Sequence, residues 1–187
     1  MKYFIHESSY VDDNVNIGEG SKIWYFCHIQ SGAKIGCHCT IGQNVNIAND
    51  VSIGDRVKIQ NNVSVYEGVE IGNDVFCGPS MVFTNDYTPR AHIRRPYLKT
   101  IVNDGVSIGA NATIVCGNNI GKNAMVAAGA VVKESVKEHA LVAGVPAKQI
   151  GWVCECGQKL KDNLKCDSCG REYKAYERGL FEIKKNK

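Results

Sequence analysis

The stretch VSIGDRVKIQNNVSVYEGVEIGND, from Val51 to Asp74, places an apolar residue at every sixth position. The same frame extends back to Val15 and forward to Asp86, and ten of its twelve third positions are Ile or Val. A six-residue period does not stay on one face of a helix, and a half-buried strand would alternate without a turn signal every six residues. The repeat therefore predicts short strands separated by corners, with three strands in each coil.

If each coil contains three hexads, residues 18 apart in the sequence stack directly above one another, at the spacing of neighbouring strands. The residue types at this spacing therefore show which positions would stack. Two interior ladders of apolar residues result: Ile17, Ile35, Ile53 and Ile71, and Ile29, Ile47, Val65 and Phe83. One corner ladder consists of glycine alone: Gly18, Gly36, Gly54 and Gly72. Glycine suits a corner that needs a positive φ or close backbone packing. We therefore predict an all-β, parallel β-helix domain over residues 1–150.

The hexad frame breaks after Asp86 and resumes at Val106. The intervening segment, YTPRAHIRRPYLKTIVNDG, lacks the repeat and is rich in basic residues. Long irregular insertions in compact domains are usually functional, although an ordinary surface loop is the alternative. We expect residues 87–105 to form an extruded loop beside a binding site.

Composition narrows the function classes. The net charge of +3 is spread along the 187 residues, so no basic platform for nucleic acid is expected. No apolar run approaches the roughly 20 residues that span a bilayer, and the first residues lack the apolar core of a signal peptide. These features predict a cytoplasmic protein without membrane contacts. Nine cysteines without an export signal favour free thiols and a metal site over disulfides.

Four of these cysteines lie in the segment 151–187, where the composition changes sharply. They form two pairs, Cys154 with Cys156 and Cys166 with Cys169, and each pair is followed by glycine. Four thiolates at such spacing are typical of a closed, structural zinc site, although the first pair is one residue tighter than usual. We predict a zinc-ribbon-like module over 151–187, with two disulfides or free thiols as the alternatives.

The hexad pattern resembles that of the hexapeptide-repeat acyltransferases, and this resemblance implies a left-handed β-helix and a homotrimer with sites between subunits. The segment LVAGVPAKQIG, Leu141 to Gly151, resembles the closing motif of members that use acetyl-CoA. In those enzymes backbone amides of the last coils hold the pantetheine arm and a basic residue meets the phosphates. The resemblance places the cofactor along four small residues and one cation: Gly109, Ala110, Ala128, Gly129 and Lys148.

Three longer stretches resemble the sugar-nucleotide N-acetyltransferases, whose substrates are UDP- or dTDP-linked 3-amino sugars for surface polysaccharides such as lipopolysaccharide. They are KIWYFCHIQSGAKIG from Lys22, VKIQNNVSVYEGVEIGNDVFCGPSMVFTNDYTPR from Val57, and GVSIGANATI from Gly105. The resemblance implies transfer of an acetyl group from acetyl-CoA to the sugar amine. It places the family's asparagine, beside the reacting amine, at Asn85, which could instead only begin the turn into the loop.

Other polar residues are candidates for the same site. His92, in the predicted loop, is the alternative general base. Arg90 and Arg94 offer guanidinium forks that suit a diphosphate or a sugar carboxylate, unless the loop is merely a solvated basic segment. Gln60 and Tyr66 are candidate substrate contacts because they replace glycine at corners of the repeat.

Two other functions fit the repeat less well. A non-enzymatic scaffold would use the β-helix as a spacer and the cysteine module for docking. A γ-type carbonic anhydrase would need three zinc-binding histidines that converge at a subunit interface, and the five histidines of this sequence lack that grouping.

Overall fold

The computed structural model of the chain describes residues 3–183, and every regular element in that range is a β-strand. Most strands hold two residues, so each contributes one outward and one inward side chain to its side of a coil. No segment of the described range forms a helix with the length and apolarity of a membrane span. The all-β class predicted from the hexads is confirmed.

The strands form three sheets, here called faces 1, 2 and 3, which the chain visits in turn to build a three-sided solenoid. Face 1 contains β1 (Phe4–Ile5), β4 (Lys22–Ile23), β7 (Thr40–Ile41), β10 (Lys58–Ile59), β13 (Phe76–Cys77), β16 (Ser107–Ile108), β19 (Met125–Val126), β21 (Ala140–Ala143) and β22 (Lys148–Trp152). Face 2 contains β2 (Tyr10–Val11), β5 (His28–Ile29), β8 (Asn46–Ile47), β11 (Ser64–Val65), β14 (Val82–Phe83), β17 (Thr113–Ile114) and β20 (Val131–Val132). Face 3 contains β3 (Asn16–Ile17), β6 (Lys34–Ile35), β9 (Ser52–Ile53), β12 (Val69–Ile71), β15 (Thr100–Val102) and β18 (Asn119–Ile120). A separate antiparallel hairpin consists of β23 (Tyr173–Tyr176) and β24 (Gly179–Glu182).

The strand register follows the predicted ladders. On face 3 the interior residues pair in the order Ile17, Ile35, Ile53 and Ile71. On face 2, Ile47 pairs with both Ile29 and Val65. All of these pairs are parallel, and the backbone amide of each strand donates to the coil that follows it.

The core is a narrow apolar column enclosed by the three faces. Inward residues such as Ile23, Ile41 and Ile59 have no exposed surface. Branched side chains dominate the column because they pack well on the pleated surface of a strand. Cys27 and Cys39 also lie inside, as small core side chains whose pKa is raised by burial.

The corners use glycine for close backbone approach. A Cβ atom added to Gly54 would lie 2.7 Å from the carbonyl carbon of Gly72 and 2.7 Å from Oδ1 of Asn73, in the next coil. The positive φ angles fall two residues later in the hexad, at positions such as Asn44, Arg56 and Asn62. Of the two reasons that favour glycine at a corner, close packing is therefore the one that applies to the glycine ladder.

We expect Gly54→Ala to destabilise the solenoid by about 1–3 kcal/mol, because the added methyl group forces neighbouring coils apart. Chemical denaturation of both proteins measures the change. Ser52→Ala is a matched control on the preceding strand, where the side chain is exposed, and should change the free energy of unfolding by less than about 0.5 kcal/mol. Equal stability of Gly54→Ala and the wild-type protein would contradict the close-packing explanation.

The irregular segment is shorter than predicted, because residues 87–105 include a strand of the solenoid. β15 pairs with β12, and Ile71 lies opposite Val102. These two residues are 31 apart instead of 18, so 13 residues are inserted. Thr100–Val102 is the strand of a further hexad, TIVNDG, and Val102 is fully buried. This strand lies outside the continuous run of hexads, which resumes at Val106.

The end of the solenoid also differs from the prediction. Strand β22 crosses the expected boundary at residue 150 and pairs in antiparallel fashion with β21. The C-terminal module has a small core of its own, which contains Leu160, Tyr173 and Leu180. Trp152 packs against both this second core and the solenoid core. A boundary after Trp152 describes the packing better. Residues 184–187 of the predicted C-terminal module lie outside the described range.

Candidate functional site

The three faces meet at three edges, and these edges carry the polar residues singled out in the sequence. The first edge joins face 1 to face 2, the second joins face 2 to face 3, and the third joins face 3 back to face 1. The inserted segment, residues 84–99, leaves from the second edge between β14 and β15. The predicted site residues therefore divide by the edge on which each corner lies.

Asn85 lies at the base of the inserted segment and is half-buried. Its backbone oxygen accepts a hydrogen bond of 2.9 Å from the amide of Leu98, which closes the segment at its base. Within residues 3–183, the Asn85 carboxamide itself has no hydrogen-bond partner. The turn role is thus performed by the backbone, and the side chain is available to a ligand.

The inserted segment lines an open pocket of about 480 Å³. Its lining residues are Asp86, Arg90, Ile93, Arg94, Arg95 and Tyr97. Arg95 is held in place by a hydrogen bond of 2.7 Å to the backbone oxygen of Thr88. The structure thus brings Arg90 and Arg94 together in one concave basic site, where guanidinium groups can bind an anion through paired N–H donors.

The other candidates on this side are less constrained. Tyr66 lies at the second edge, one coil before the inserted segment, and its ring is 40% exposed. His92 is exposed, and in the described part of the chain nothing hydrogen-bonds to its ring. No neighbouring group therefore orients His92 as a base. Gln60 is separate from both, because it lies on the first edge after β10.

In the described range the later coils of the first edge leave backbone amides without a hydrogen-bond partner, as do Tyr25 and Asn61 in the earlier coils. At several corners the fifth residue of the hexad has its amide capped by a side chain of the next coil: the amide of Gln43 donates to Oδ1 of Asn61 at 2.9 Å. Ala110 is followed one coil later by Ala128, which offers no acceptor. Among residues 3–183, neither the Ala110 nor the Ala128 amide donates a hydrogen bond. A row of free backbone donors thus opens along this edge.

Two glycines keep this row accessible. A Cβ atom on Gly109 would lie 2.7 Å from Cα of Ala128, so glycine is needed for coil packing there. Gly129 has a φ of 69° and nothing within 4 Å of an added Cβ, so the space above it is open. The four predicted small residues are therefore grouped along one edge.

Lys148 begins β22, just after the turn that joins β21 to β22. That turn packs on Val131 through two hydrogen bonds, from the Val131 amide to Gly144 and from the Ala147 amide to Val131. The Lys148 ammonium group lies 3.6 Å from Glu134, and both side chains are well exposed. Such an exposed pair contributes little to stability, so Lys148 can exchange its partner for an anionic ligand.

The four C-terminal cysteines form a compact cluster. Their Sγ atoms all lie within 4.8 Å of one another, with Cys154 and Cys169 separated by 3.4 Å and Cys156 and Cys166 by 3.6 Å. A disulfide needs an S–S distance of about 2.05 Å, and all nine cysteines of the structure are free thiols. Four sulfurs at Zn–S distances of about 2.3 Å in a tetrahedron would lie roughly 3.8 Å apart, close to the observed separations.

Two polar groups contact the cluster and were not apparent from the sequence. The Tyr173 hydroxyl lies 3.1 Å from Sγ of Cys154, and Arg171 donates to Sγ of Cys169 at 3.4 Å. Burial raises the pKa of the Cys154 thiol, whereas the contacts with Arg171 lower the pKa of Cys169. Both groups come from the segment between the last cysteine and β24, which has no spacing signal of its own.

The cysteine module is docked on the third edge of the solenoid. His139 is buried there; its Nδ1 lies 3.0 Å from the backbone oxygen of Val153, and its ring packs 4.9 Å from that of Tyr173. Burial lowers the pKa of His139. Because the Val153 carbonyl can only accept, the neutral ring with a proton on Nδ1 fits this site.

Comparison with known proteins agrees with the repeat. Residues 32–67 match the family model described as bacterial transferase hexapeptide (six repeats), and residues 99–134 match the hexapeptide repeat of succinyl-transferase. These two segments are therefore similar to hexapeptide repeats of bacterial transferases. The family resemblance predicted from the hexads is thereby confirmed.

Two curated relatives share parts of the chain. A dTDP-3-amino-3,6-dideoxy-alpha-D-galactopyranose 3-N-acetyltransferase from Aneurinibacillus thermoaerophilus is 51% identical over 78 residues, which are 41% of this chain and 41% of that protein. A 2,3,4,5-tetrahydropyridine-2,6-dicarboxylate N-acetyltransferase from Staphylococcus aureus is 48% identical over 62 residues, 33% of this chain and 26% of that protein. The matched regions thus span less than half of either relative.

A solved structure shares the solenoid. PerB from Caulobacter crescentus, in complex with CoA and GDP-perosamine, superposes with a TM-score of 0.54 and 25% sequence identity, over 79% of this chain and 56% of that chain. The similarity to sugar-nucleotide N-acetyltransferases that was inferred from the sequence is confirmed by this structure and by the first relative.

Proposed function

We propose that the protein is an acetyl-CoA-dependent N-acetyltransferase that acetylates the amino group of a UDP- or dTDP-linked amino sugar, used for a surface polysaccharide. The observation that carries the proposal is the row of free backbone amides on the first edge, at Ala110 and Ala128. Support comes from the relative that acetylates a dTDP-3-amino sugar and from the PerB complex with CoA and a nucleotide sugar. The proposed solenoid is left-handed.

The free amides suit the pantetheine arm of the cofactor, whose amide carbonyls need donors along a narrow groove. Gly109 and Gly129 add no side chain that would block that groove. Lys148, at the turn above the last coil, is placed to meet a phosphate of the cofactor once it leaves Glu134. An amide left free near the thioester carbonyl would stabilise the oxyanion that forms during transfer.

A complete site needs two copies of the chain, because the cofactor residues lie on the first edge and Asn85 lies on the second. We propose a homotrimer in which the second edge of one subunit faces the first edge of its neighbour. Face 2 supports such packing, since its outward residues include no Lys, Arg, Asp or Glu from β2 to β20. They are Tyr10, His28, Asn46, Ser64, Val82, Thr113 and Val131.

On the acceptor side, Arg90 and Arg94 would bind the diphosphate of the nucleotide sugar in the pocket of the inserted segment. Tyr66, at the same edge, would contact the sugar, and Gln60 would do so from the first edge of the neighbouring subunit. Asn85 would then orient the amine with its free carboxamide oxygen.

The chemistry requires little beyond this positioning. An amino-sugar amine is expected to titrate near the α-amino range, about 7.7–8.0, so part of it is neutral at cellular pH. The amine lone pair attacks the thioester carbon, a C–N bond forms, the C–S bond breaks, and the amine proton ends on the departing thiolate. Holding the reactants in line supplies much of the rate. His92 is the alternative base only if binding brings it to the amine.

The cysteine module is proposed to hold a structural zinc ion in the manner of a zinc ribbon. Cys154, Cys156, Cys166 and Cys169 supply the four thiolates, and their separations fit a tetrahedral ion. With four protein ligands no position is left for substrate, so the ion would stabilise the fold and take no part in the transfer.

A thiol assay of CoA release tests the proposed activity. We expect purified protein with acetyl-CoA to release CoA when given one member of a panel of UDP- and dTDP-linked 3- and 4-amino sugars. The matched sugars that carry a hydroxyl in place of the amine are the control and should release none. If acetyl-CoA raises the melting temperature but no sugar causes CoA release, the proposed acceptor class is refuted. The proposed binding of acetyl-CoA would still stand.

A further inference from the structure

The second corner of the first edge, between β4 and β5, carries a cluster of aromatic rings, here called the aromatic corner and defined as Trp24, Tyr25 and Phe26. Tyr25 is 42% exposed and Phe26 is 62% exposed. The Trp24 and Tyr25 rings are stacked at 6.2 Å, and His6 supports the Tyr25 ring at 3.9 Å. The result is a supported aromatic surface that faces solvent in this chain.

Other corners of this edge are built differently. One coil later the same three positions are Gly42, Gln43 and Asn44, and the later corners are again small or polar. Phe26 has a φ of 57°, a left-handed conformation in which bulky residues are rare, and Asn44 has the same conformation at 56°. An asparagine would therefore meet the local backbone need more easily than the phenylalanine that is present.

Carboxamide groups lie directly beside the rings, on the next coil. The Asn44 amide donates to the backbone oxygen of Tyr25 at 2.9 Å, which fixes the two corners against each other. The Gln43 side chain is exposed, and in the described range its carboxamide has no partner. A flat aromatic surface with free carboxamide donors and acceptors at its margin matches the stacking face and the polar edge of a nucleobase.

We propose that the aromatic corner binds the base of the nucleotide-sugar acceptor by stacking, and that Gln43 contacts the edge of the base. This inference rests on the proposed function. The pocket with Arg90 and Arg94 is proposed to bind only the diphosphate. The aromatic corner would bind the nucleoside part of the same ligand.

The spacing along the edge agrees with such a ligand. Tyr25, Gln43, Asn61, Pro79 and Ala110 occupy the same corner position in successive coils. At roughly 4.8 Å per coil, Ala110 lies about 19 Å from Tyr25, and Pro79 about 14 Å. An extended nucleoside diphosphate sugar is of this length, so a base at the aromatic corner would place the amine near the free amides proposed for the thioester end of the cofactor.

A double variant can remove the rings while keeping the corner. Tyr25→Gln with Phe26→Asn copies the Gln43–Asn44 corner of the next coil, where asparagine already adopts the required φ. Phe76→Thr is the matched control, because Phe76 is an exposed ring on face 1 and Thr40 occupies the same column two coils earlier. The probes are UDP, dTDP, inorganic pyrophosphate and acetyl-CoA, with binding measured by calorimetry.

We expect the double variant to bind the preferred nucleoside diphosphate about ten-fold more weakly, with pyrophosphate and acetyl-CoA unchanged and with Phe76→Thr like the wild type. Unchanged nucleotide affinity in the double variant would overturn the inference and leave the proposed function intact. A changed oligomeric mass in the double variant would overturn the inference, because it would show that Tyr25 and Phe26 form a contact between subunits. A wild-type protein that binds acetyl-CoA but neither nucleotide would refute the nucleotide-linked acceptor itself.

Discussion

Cys154→Ser is expected to abolish zinc retention and to unfold residues 153–183 while the solenoid core stays folded. The reason is the size of the second core, which consists of Cys154, Leu160, Cys166, Tyr173 and Leu180; among the described residues, only Trp152 and Leu164 pack against it. Such a small cluster cannot offset the conformational entropy of about 30 residues, whereas a structural zinc ion supplies about 10–16 kcal/mol. Zinc content per chain and limited proteolysis measure the two effects.

Cys37→Ser is the matched control, because Cys37 is a half-buried cysteine on a solenoid corner, away from the cluster. It should keep one zinc ion per chain and the wild-type proteolysis pattern. Chelation of the wild-type protein should reproduce the Cys154→Ser pattern, and restored zinc should reverse it. A metal-free protein that resists proteolysis throughout residues 153–183, or mass spectrometry that finds two disulfides there, would contradict the zinc proposal.

The second large effect is expected at Asn85. Asn85→Ala should lower kcat by about 10²-fold with the KM for acetyl-CoA unchanged, because it removes one polar contact to the reacting centre and none to the cofactor. The thermal transition should move little, since the Asn85 side chain makes no hydrogen bond in the described chain. Steady-state CoA release against both substrates gives these constants.

Asn119→Ala is the control for this experiment, because Asn119 is an exposed asparagine on face 3. Near-wild-type turnover by Asn85→Ala would remove Asn85 from the mechanism and leave it as the start of the loop. A loss of similar size in His92→Ala, together with an altered pH profile, would assign the proton transfer to His92 instead.

The sequence predicts this fold well wherever one local rule repeats. The hexad spacing correctly pairs Ile35 with Ile17 and Ile47 with Ile29, because register in a solenoid depends only on counting. The rule failed at Thr100–Val102, where 13 inserted residues shift the count although the inward position is still filled by valine. An insertion changes chain length without changing the packing requirement.

The site was less predictable, because its contacts join residues far apart in sequence. The glycines and alanines of the first edge could be identified, but the free amides become apparent only once Ala128 is placed over Ala110 and found to lack an acceptor. The contacts of Tyr173 and Arg171 with the cysteine cluster likewise depend on how the last hairpin folds back. No spacing rule links these residues.

Three successive side-chain caps on the third edge share one direction. The amide of Cys37 is capped by Asp55, that of Asp55 by Asn73, and that of Asn73 by Asp104, so each cap comes from the coil that follows. During synthesis on the ribosome, these three corners are therefore completed only after the coil that follows each of them has been made. A chain halted midway ends on an open template for further strands, and the hairpin of β21 and β22 is what terminates growth in the finished protein.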